Sequence, residues 1–389
     1  MSERFAAGRV AVKPAVAARQ RTCARCLRSA FLTAALALFT TSCGATVDLE
    51  GRTAEDFYDG VRLDVIVPFG PGGGTDTWAR LIAPFLQREL GPGSSVQIIN
   101  IAGATSVAGG NDFAMRRRPD GRTAFISGGS TFFAYLLGEP MVRFDFREMR
   151  AIVSSPAGGV VFIRPDMGIR SAAELRDVQE RLIYGGISAA GNDLLPLLAF
   201  ELLGLDILPI LGYGSKGSTR IAFEQGETNI EYQTAPAYRS NVVPLVEQGL
   251  AVPLFSFGLL NEAGDVVRDP VVPDLPTVLE VYRSLNGRDP SGPAWEAYRA
   301  VLAAGIEMQK VLWLHGDAPE AAVEALRAAA RKVIADPDFR EEASRRMGDY
   351  PFHVGEEVER LFSLAVDIPP EAKEWLTELL RTRYGINRL

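Results

Sequence analysis

The run Leu63-Asp-Val-Ile-Val-Pro-Phe-Gly-Pro-Gly-Gly-Gly-Thr-Asp-Thr-Trp-Ala-Arg-Leu-Ile82 constrains the fold more than any other stretch. Leu63 to Val67 reads as a short buried strand. Pro68 to Gly74 is a loop built almost wholly of Gly and Pro. A helix follows, with Thr75 or Asp76 as its expected N-cap and an apolar stripe at Trp78, Leu81, Ile82, Phe85 and Leu86. A strand that feeds a helix through glycines leaves several backbone N–H groups pointing outward. Together with the positive end of the helix dipole, they favour a small anion.

The chain of 389 residues has room for two ordinary domains. Its charge is unevenly spread. Residues 1–43 carry seven Lys/Arg and one acid, whereas the remainder carries 34 basic and 47 acidic residues, a net −13. An acidic body speaks against nucleic acid, which needs a basic footprint. Any anion must then be held by a local set of donors. All three cysteines (Cys23, Cys26, Cys43) lie in the first 43 residues, so no disulfide is expected in the body. Cys23-Ala-Arg-Cys26 lacks the second ligand pair that a metal site needs, and His315 and His353 are the only histidines. Neither a metal nor a cofactor is expected.

Residues 1–43 read as a signal peptide: a basic stretch to 29, then an apolar run from Ala30 to Phe39, too short to span a bilayer. The small residues before Cys43 mark that cysteine as a candidate lipidation site, with cleavage near Ala45 as the alternative. Residues 44–60 are polar and are expected to form a tether. The body is expected in a periplasm.

From residue 61, strand and helix patterns alternate, which predicts an α/β fold with largely parallel sheets. Strands are expected over 96–101, 123–127, 160–163, 182–184, 208–211, 228–232 and 252–257. Ser171-Ala-Ala-Glu174 reads as a capping box, Leu194 to Leu203 as a helix, and 261–276 as a proline-rich connection. Two helices, 319–335 and 338–346, are expected to close the chain.

Gly70-Pro-Gly-Gly-Gly-Thr75 lacks the Lys-Ser/Thr of a P-loop, and its sixth position and downstream Asn100 do not fit a dinucleotide fingerprint. Gly128-Gly-Ser-Thr131 is not a nucleophile elbow, and no catalytic triad is visible, so no enzyme is expected. Asp76 and Asp193 stand at helix starts, where capping is the ordinary role. Trp78 and Trp313 are expected in the core.

Val65 to Asp76 resembles the first strand and loop of the Bug family, the extracytoplasmic receptors of tripartite tricarboxylate transporters. Further matches follow in order: Arg118-Pro-Asp-Gly-Arg-Thr123, Ala199-Phe-Glu-Leu-Leu203, Glu224-Gln-Gly-Glu-Thr-Asn229, Asp274-Leu-Pro-Thr-Val-Leu-Glu280 and Ala335-Asp-Pro-Asp-Phe339. They cover about residues 62–350. The family's second-domain loop often carries a His; here Ala189-Ala-Gly-Asn-Asp-Leu-Leu-Pro196 has none.

The resemblance implies a type II periplasmic-binding-protein fold, with two α/β lobes around a ligand cleft. Lobe 1 would comprise 61–156 and 256–389 (with the carboxy-terminal helices), and lobe 2 would comprise 157–255. Lobe 1 would hold a carboxylate on the backbone of Gly72, Gly73 and Gly74 with Thr75 and Asp76, flanked by Ser127, Gly128, Ser130 and Thr131; Asp76 would not pair with the carboxylate itself but cap the helix, act through water or hold a ligand ammonium. Lobe 2 would add Ser188, Ala189, Ala190, Gly191 and Asn192, with Tyr213, Ser215 and Thr234 as further candidates. Lys216 is expected to be an exposed turn lysine. The implied role is a receptor that captures a di- or tricarboxylate or related acid and delivers it, as a monomer, to membrane permease subunits. The alternative is an exported sensor signalling to a two-component kinase.

Overall fold

The computed structural model describes residue 49, residues 51–261 and residues 263–387. The signal peptide, Cys43 and most of the tether lie outside the described residues. The strands are β1 (Arg62–Val67), β2 (Ser95–Asn100), β3 (Thr123–Gly128), β4 (Met149–Ser155), β5 (Gly159–Ile163), β6 (Leu182–Gly186), β7 (Ile207–Leu211), β8 (Ile230–Thr234), β9 (Val252–Ser256), β10 (Leu259–Leu260), β11 (Val266–Val267), β12 (Lys310–His315) and β13 (His353–Val354). The first helices are α1 (Gly74–Glu89), α2 (Val107–Arg116), α3 (Gly129–Leu136), α4 (Leu194–Leu203) and α5 (Lys216–Glu224).

Two sheets organise the chain. One has the order β13-β4-β12-β3-β1-β2, the other β7-β6-β8-β5-β9. They are joined by Pro156-Ala-Gly158 between β4 and β5, and by Phe257-Gly258 after β9. The fold is α/β, as expected, but the sheets are mixed rather than largely parallel. β1 pairs in parallel with β2 and β3, and β6 with β7 and β8. β12 runs antiparallel to both β3 and β4, and β5 antiparallel to β8 and β9. The parallel half comes from β-loop-α units, whose pattern the sequence shows. The antiparallel half comes from strands that enter the sheet from far along the chain.

Alternation along β3 shows how one sheet makes two cores. Ala124 and Ile126 face α1 and the helix Glu320–Ala335, while Phe125 faces Phe113 and Phe146 on the other side. The second core runs on without a break to α4, whose ten residues are almost all buried. A helix that is apolar all round must be enclosed. Here the enclosing elements include the helices Val278–Asn286 and Pro293–Leu302. Trp78 and Trp313 are both in the core, as expected.

Several local expectations need correction. α1 starts at Gly74 with Gly73 as N-cap and no side-chain cap, because Asp76 folds back onto the loop instead. Ser171 makes no side-chain cap; Glu174 takes the N–H of Arg170, and the segment is a 3-10 turn over Ala172–Asp177. Residues 51–60 do not form a free tether. Phe57 and Tyr58 are buried, and the Tyr58 hydroxyl donates to the Gly121 carbonyl at 2.8 Å. The connection 261–276 contains β11, which pairs with β10. Helices Glu356–Val366 and Pro370–Tyr384 follow the two that were expected to close the chain.

Candidate functional site

The glycine loop before α1 is tied down from within. Gly72 sits at φ +83, a conformation that L side chains rarely adopt. Its N–H donates to Asp76 Oδ2 at 2.8 Å, and Arg80 Nε donates to the same oxygen at 2.9 Å. Asn100 Nδ2 donates to Asp76 Oδ1 and to the Phe69 carbonyl. Asp76 is therefore buried and fully engaged. The hydrogen bond from Arg80, with those from Gly72 and Asn100, holds its carboxyl down to about 2. Neither Asp76 nor the Gly72 N–H is free for a ligand. The N–H groups of Gly74 and Thr75, in the first turn of α1, have no intrahelical acceptor.

Removing this knot has a defined cost. Asp76→Ala is expected to destabilise the fold by about 2 kcal/mol, since three donors lose one charged acceptor; urea melts at neutral pH measure it. In the wild type the carboxyl binds its proton less readily than in the unfolded chain. Its contribution is present above the ordinary carboxylate range and is lost as the pH falls toward about 2.

At the end of β3 the residues divide by role. Ser127 is fully buried, and its Oγ accepts from Trp313 Nε1 at 2.9 Å, so it is part of the core. Thr131 is equally buried and its Oγ1 accepts the Gly128 N–H. Gly128 and Gly129 are buried too, and of the four flanking residues only Ser130 is partly exposed. A Cβ on Gly128 would meet the Phe69 ring and Thr75 Oγ1, so the β3 end and the α1 loop lie side by side. The Gly129 N–H donates to Gln309 Oε1 at 3.1 Å.

The loop after β6 has the same construction. Asp193 does not cap α4; it folds back, its Oδ2 taking the N–H groups of Ile187 (2.7 Å) and Ser188 (3.1 Å). Its Oδ1 accepts from the Tyr184 hydroxyl. Ser188 Oγ accepts from Ala190, and the Ser188 carbonyl accepts from Gly191. Among the described residues, the N–H groups of Ala189 and Asn192 have no acceptor. Asn192 Oδ1 is buried and also lacks a partner.

Lys216 is neither exposed nor free. Its ammonium lies 2.5 Å from Glu231 Oε1 and 3.3 Å from Asp193 Oδ1, over the rings of Tyr184 and Tyr232. Burial pushes the Glu231 carboxyl up to about 7 although Lys216 opposes the shift. This cluster braces the loop from behind. Ser215 caps α5 by accepting from the Ser218 N–H. The Tyr213 hydroxyl reaches Glu227, in the turn before β8, and Thr234 stands at the end of β8 opposite Gly159.

The two loops meet across the cleft. A Cβ on Gly129 would lie 2.7 Å from Asn192 Oδ1 and 2.9 Å from Gln309 Oε1. The structure thus gathers Thr75, Gly128, Gly129 and Asn192, and sets Asp76, Ser127, Thr131, Ser215 and Tyr213 to other tasks. It also adds Gln309 and Lys310, which sequence reasoning missed. Lys310 is the first residue of β12, is 7% exposed, and donates to the Gln309 carbonyl (2.9 Å) and Oε1 (3.1 Å). Burial lowers its ammonium to about 8. A Gln-Lys pair at the head of an unread strand carries no local motif; only its sheet partners place it here.

No family model matches this chain. Among curated proteins, it is 40% identical over 86 residues to Protein BugT of Bordetella pertussis. That match spans 22% of this chain and only 26% of the relative's length. It is 26% identical over 292 residues to a UPF0065 protein of the same organism, covering 73% of this chain and 80% of the relative. Among solved structures, a ligand-free TctC solute binding protein from Polaromonas matches 82% of this chain with a TM-score of 0.60 at 16% identity; 98% of that chain is covered. MatC from Rhodopseudomonas palustris, with bound malate, matches 81% at a TM-score of 0.54 and 22% identity, with 98% of that chain covered. A second R. palustris protein, with adipate, matches 83% at 0.56 and 19%, with 97% covered. These structures establish the periplasmic solute-binding-protein fold.

Proposed function

We propose that this relative of the Bug proteins is an extracytoplasmic receptor that holds a small organic anion between its two sheets and hands it to a membrane permease. One observation carries the reading. Loops at the ends of β3 and β6, from different sheets, meet at Gly129, Asn192 and Gln309. Unpaired backbone N–H groups surround that point, on α1 at one side and at Ala189 and Asn192 on the other. Converging donors without a nucleophile or a metal cluster bind an anion and do no chemistry on it; among the described residues no group of His, Cys, Asp and Glu could hold a metal. The malate and adipate in structures of the same fold support a carboxylate as ligand. The basic, apolar leader supports export, with Cys43 as the candidate anchor, and no described helix is long and apolar enough to cross a membrane.

A thermal-shift screen against mono-, di- and tricarboxylates tests this. A ligand at about 100 times its dissociation constant should stabilise the fold by roughly 2.7 kcal/mol, a clear rise in midpoint. A rise with sugars or cations and none with any carboxylate would sink the reading.

A further inference from the structure

The two halves of the cleft differ in charge. Behind the lobe-2 loop, Lys216 is matched by Asp193 and Glu231, two carboxylates against one ammonium. On the other side stands Lys310, with no Asp or Glu among the described residues within ion-pair distance. Its position in the sheet tells where its side chain goes. Lys310 is directly opposite Gly128 in the β12–β3 ladder, so the two residues project to the same face. On that face a Cβ at Gly128 would meet Phe69 and Thr75 Oγ1, the loop that opens α1. The ammonium shares its acceptor, Gln309 Oε1, with the Gly129 N–H. Of its three N–H donors, two are taken by the carbonyl and side-chain oxygens of Gln309. A buried cation satisfied only by neutral oxygens lacks its counter-charge.

The lobe-2 side asks for something else. Asn192 Oδ1 is buried without a donor, while Ala189 and Asn192 offer N–H groups. A carboxylate satisfies the donors but not the amide oxygen. In the same loop the Asp193 carboxylate already accepts the N–H groups of Ile187 and Ser188, so fewer donors are left for a second anion. A hydroxyl or a primary amide both donates and accepts.

We propose that Lys310 is the counter-charge for a single ligand carboxylate bound against α1 and Gly129. The opposite end of the ligand is then a neutral group, a hydroxyl or an amide, held by Asn192. This rests on the receptor reading above and narrows its ligand from organic anions in general to hydroxy or half-amide monocarboxylates.

The test is calorimetric titration of the full chain with matched acids: adipate against its half-amide and 6-hydroxyhexanoate, succinate against its half-amide. The wild type is expected to bind the neutral-ended member of a series at least about tenfold tighter than the diacid. Lys310→Met should weaken that binding by about thirtyfold or more, through loss of a charge-assisted bond. The unliganded Lys310→Met protein should melt at or above the wild-type midpoint, because an unmatched buried cation has been removed. Tighter binding of the diacid, unchanged affinity in Lys310→Met, or a lowered midpoint of the unliganded variant would each overturn the assignment and leave the receptor reading standing. If no acid of either kind binds the wild type, the receptor reading falls first and the assignment with it.

Discussion

Gly129→Val is expected to reduce ligand affinity by about a hundredfold or more while the unliganded chain still folds. Gly129 begins α3 where the loops after β3 and β6 meet. A Cβ there would stand 2.7 Å from Asn192 Oδ1 and 2.9 and 3.0 Å from the two ends of the Gln309 amide. The obstructing atoms are all tips of side chains, so alanine can be admitted by small shifts of Asn192 or Gln309. Valine adds two more carbons and leaves no arrangement in which the loops meet. Gly129→Ala should therefore fall between, near tenfold. Titration calorimetry with whichever carboxylate gives the largest thermal shift is the direct measure. Full affinity in Gly129→Val would show that the ligand does not lie where these loops converge.

The second large effect concerns stability. Lys216→Met is expected to cost about 3–5 kcal/mol, because it leaves Asp193 and Glu231 buried without their cation. Adding Glu231→Gln should restore much of that loss, since one of the two stranded charges is then gone. The effect should depend on pH in a stated direction. The folded chain holds the Glu231 proton up to about 7, above the ordinary glutamate range, so it binds more protons than the unfolded chain in that interval. By linkage the Glu231 contribution to stability falls as the pH rises through that interval. Without Lys216 the carboxylate is harder still to charge, so the variant should lose more at about pH 8 than at about pH 5. Urea melts of the wild type and both variants at the two pH values decide it. An equal loss at both would mean that Glu231 is not the group left stranded.

The inner core passes unbroken from the first sheet to α4 through Pro293–Leu302 and Ala303–Glu307. Large apolar contacts of this sort resist separation. Motion is therefore expected to be concentrated on the opposite, loop-lined side of the cleft, where Gly129 and Asn192 meet. On the receptor reading proposed above, a bound ligand is expected to shift the population toward the state in which those loops are together.

Much of the framework is legible in the sequence. The strand, glycine loop and helix at 62–89 recur at 182–203, and α4 falls over Leu194–Leu203 as its apolar run predicts. These are local patterns: strand alternation, glycines where a backbone must turn, an apolar stretch long enough to bury. β12 was not legible because Gln309-Lys310 precedes its apolar residues and a helical segment, Ala303–Glu307, runs directly into it. The two last helices carry apolar stripes at helical spacing, Val358, Leu361 and Ala365 on one and Ala372, Leu376 and Leu380 on the other, so a local signal for them was present in the sequence.

The sequence alone determined that two glycine-rich strand ends would carry backbone N–H groups into helix starts. It left open which donors stay available. Asp76 and Asp193, each expected as a helix cap, turn back and take up the N–H of Gly72 and those of Ile187 and Ser188. Ser127 is claimed by Trp313, 186 residues away, and the Gly129 N–H by Gln309, 180 residues away. The tertiary structure alone decided that Lys310 would stand at the cleft without an acid while Lys216 would be matched by two. Hydrogen bonds and charges are assigned by proximity in space, and a pattern with a period of two or four residues carries no record of partners so far along the chain.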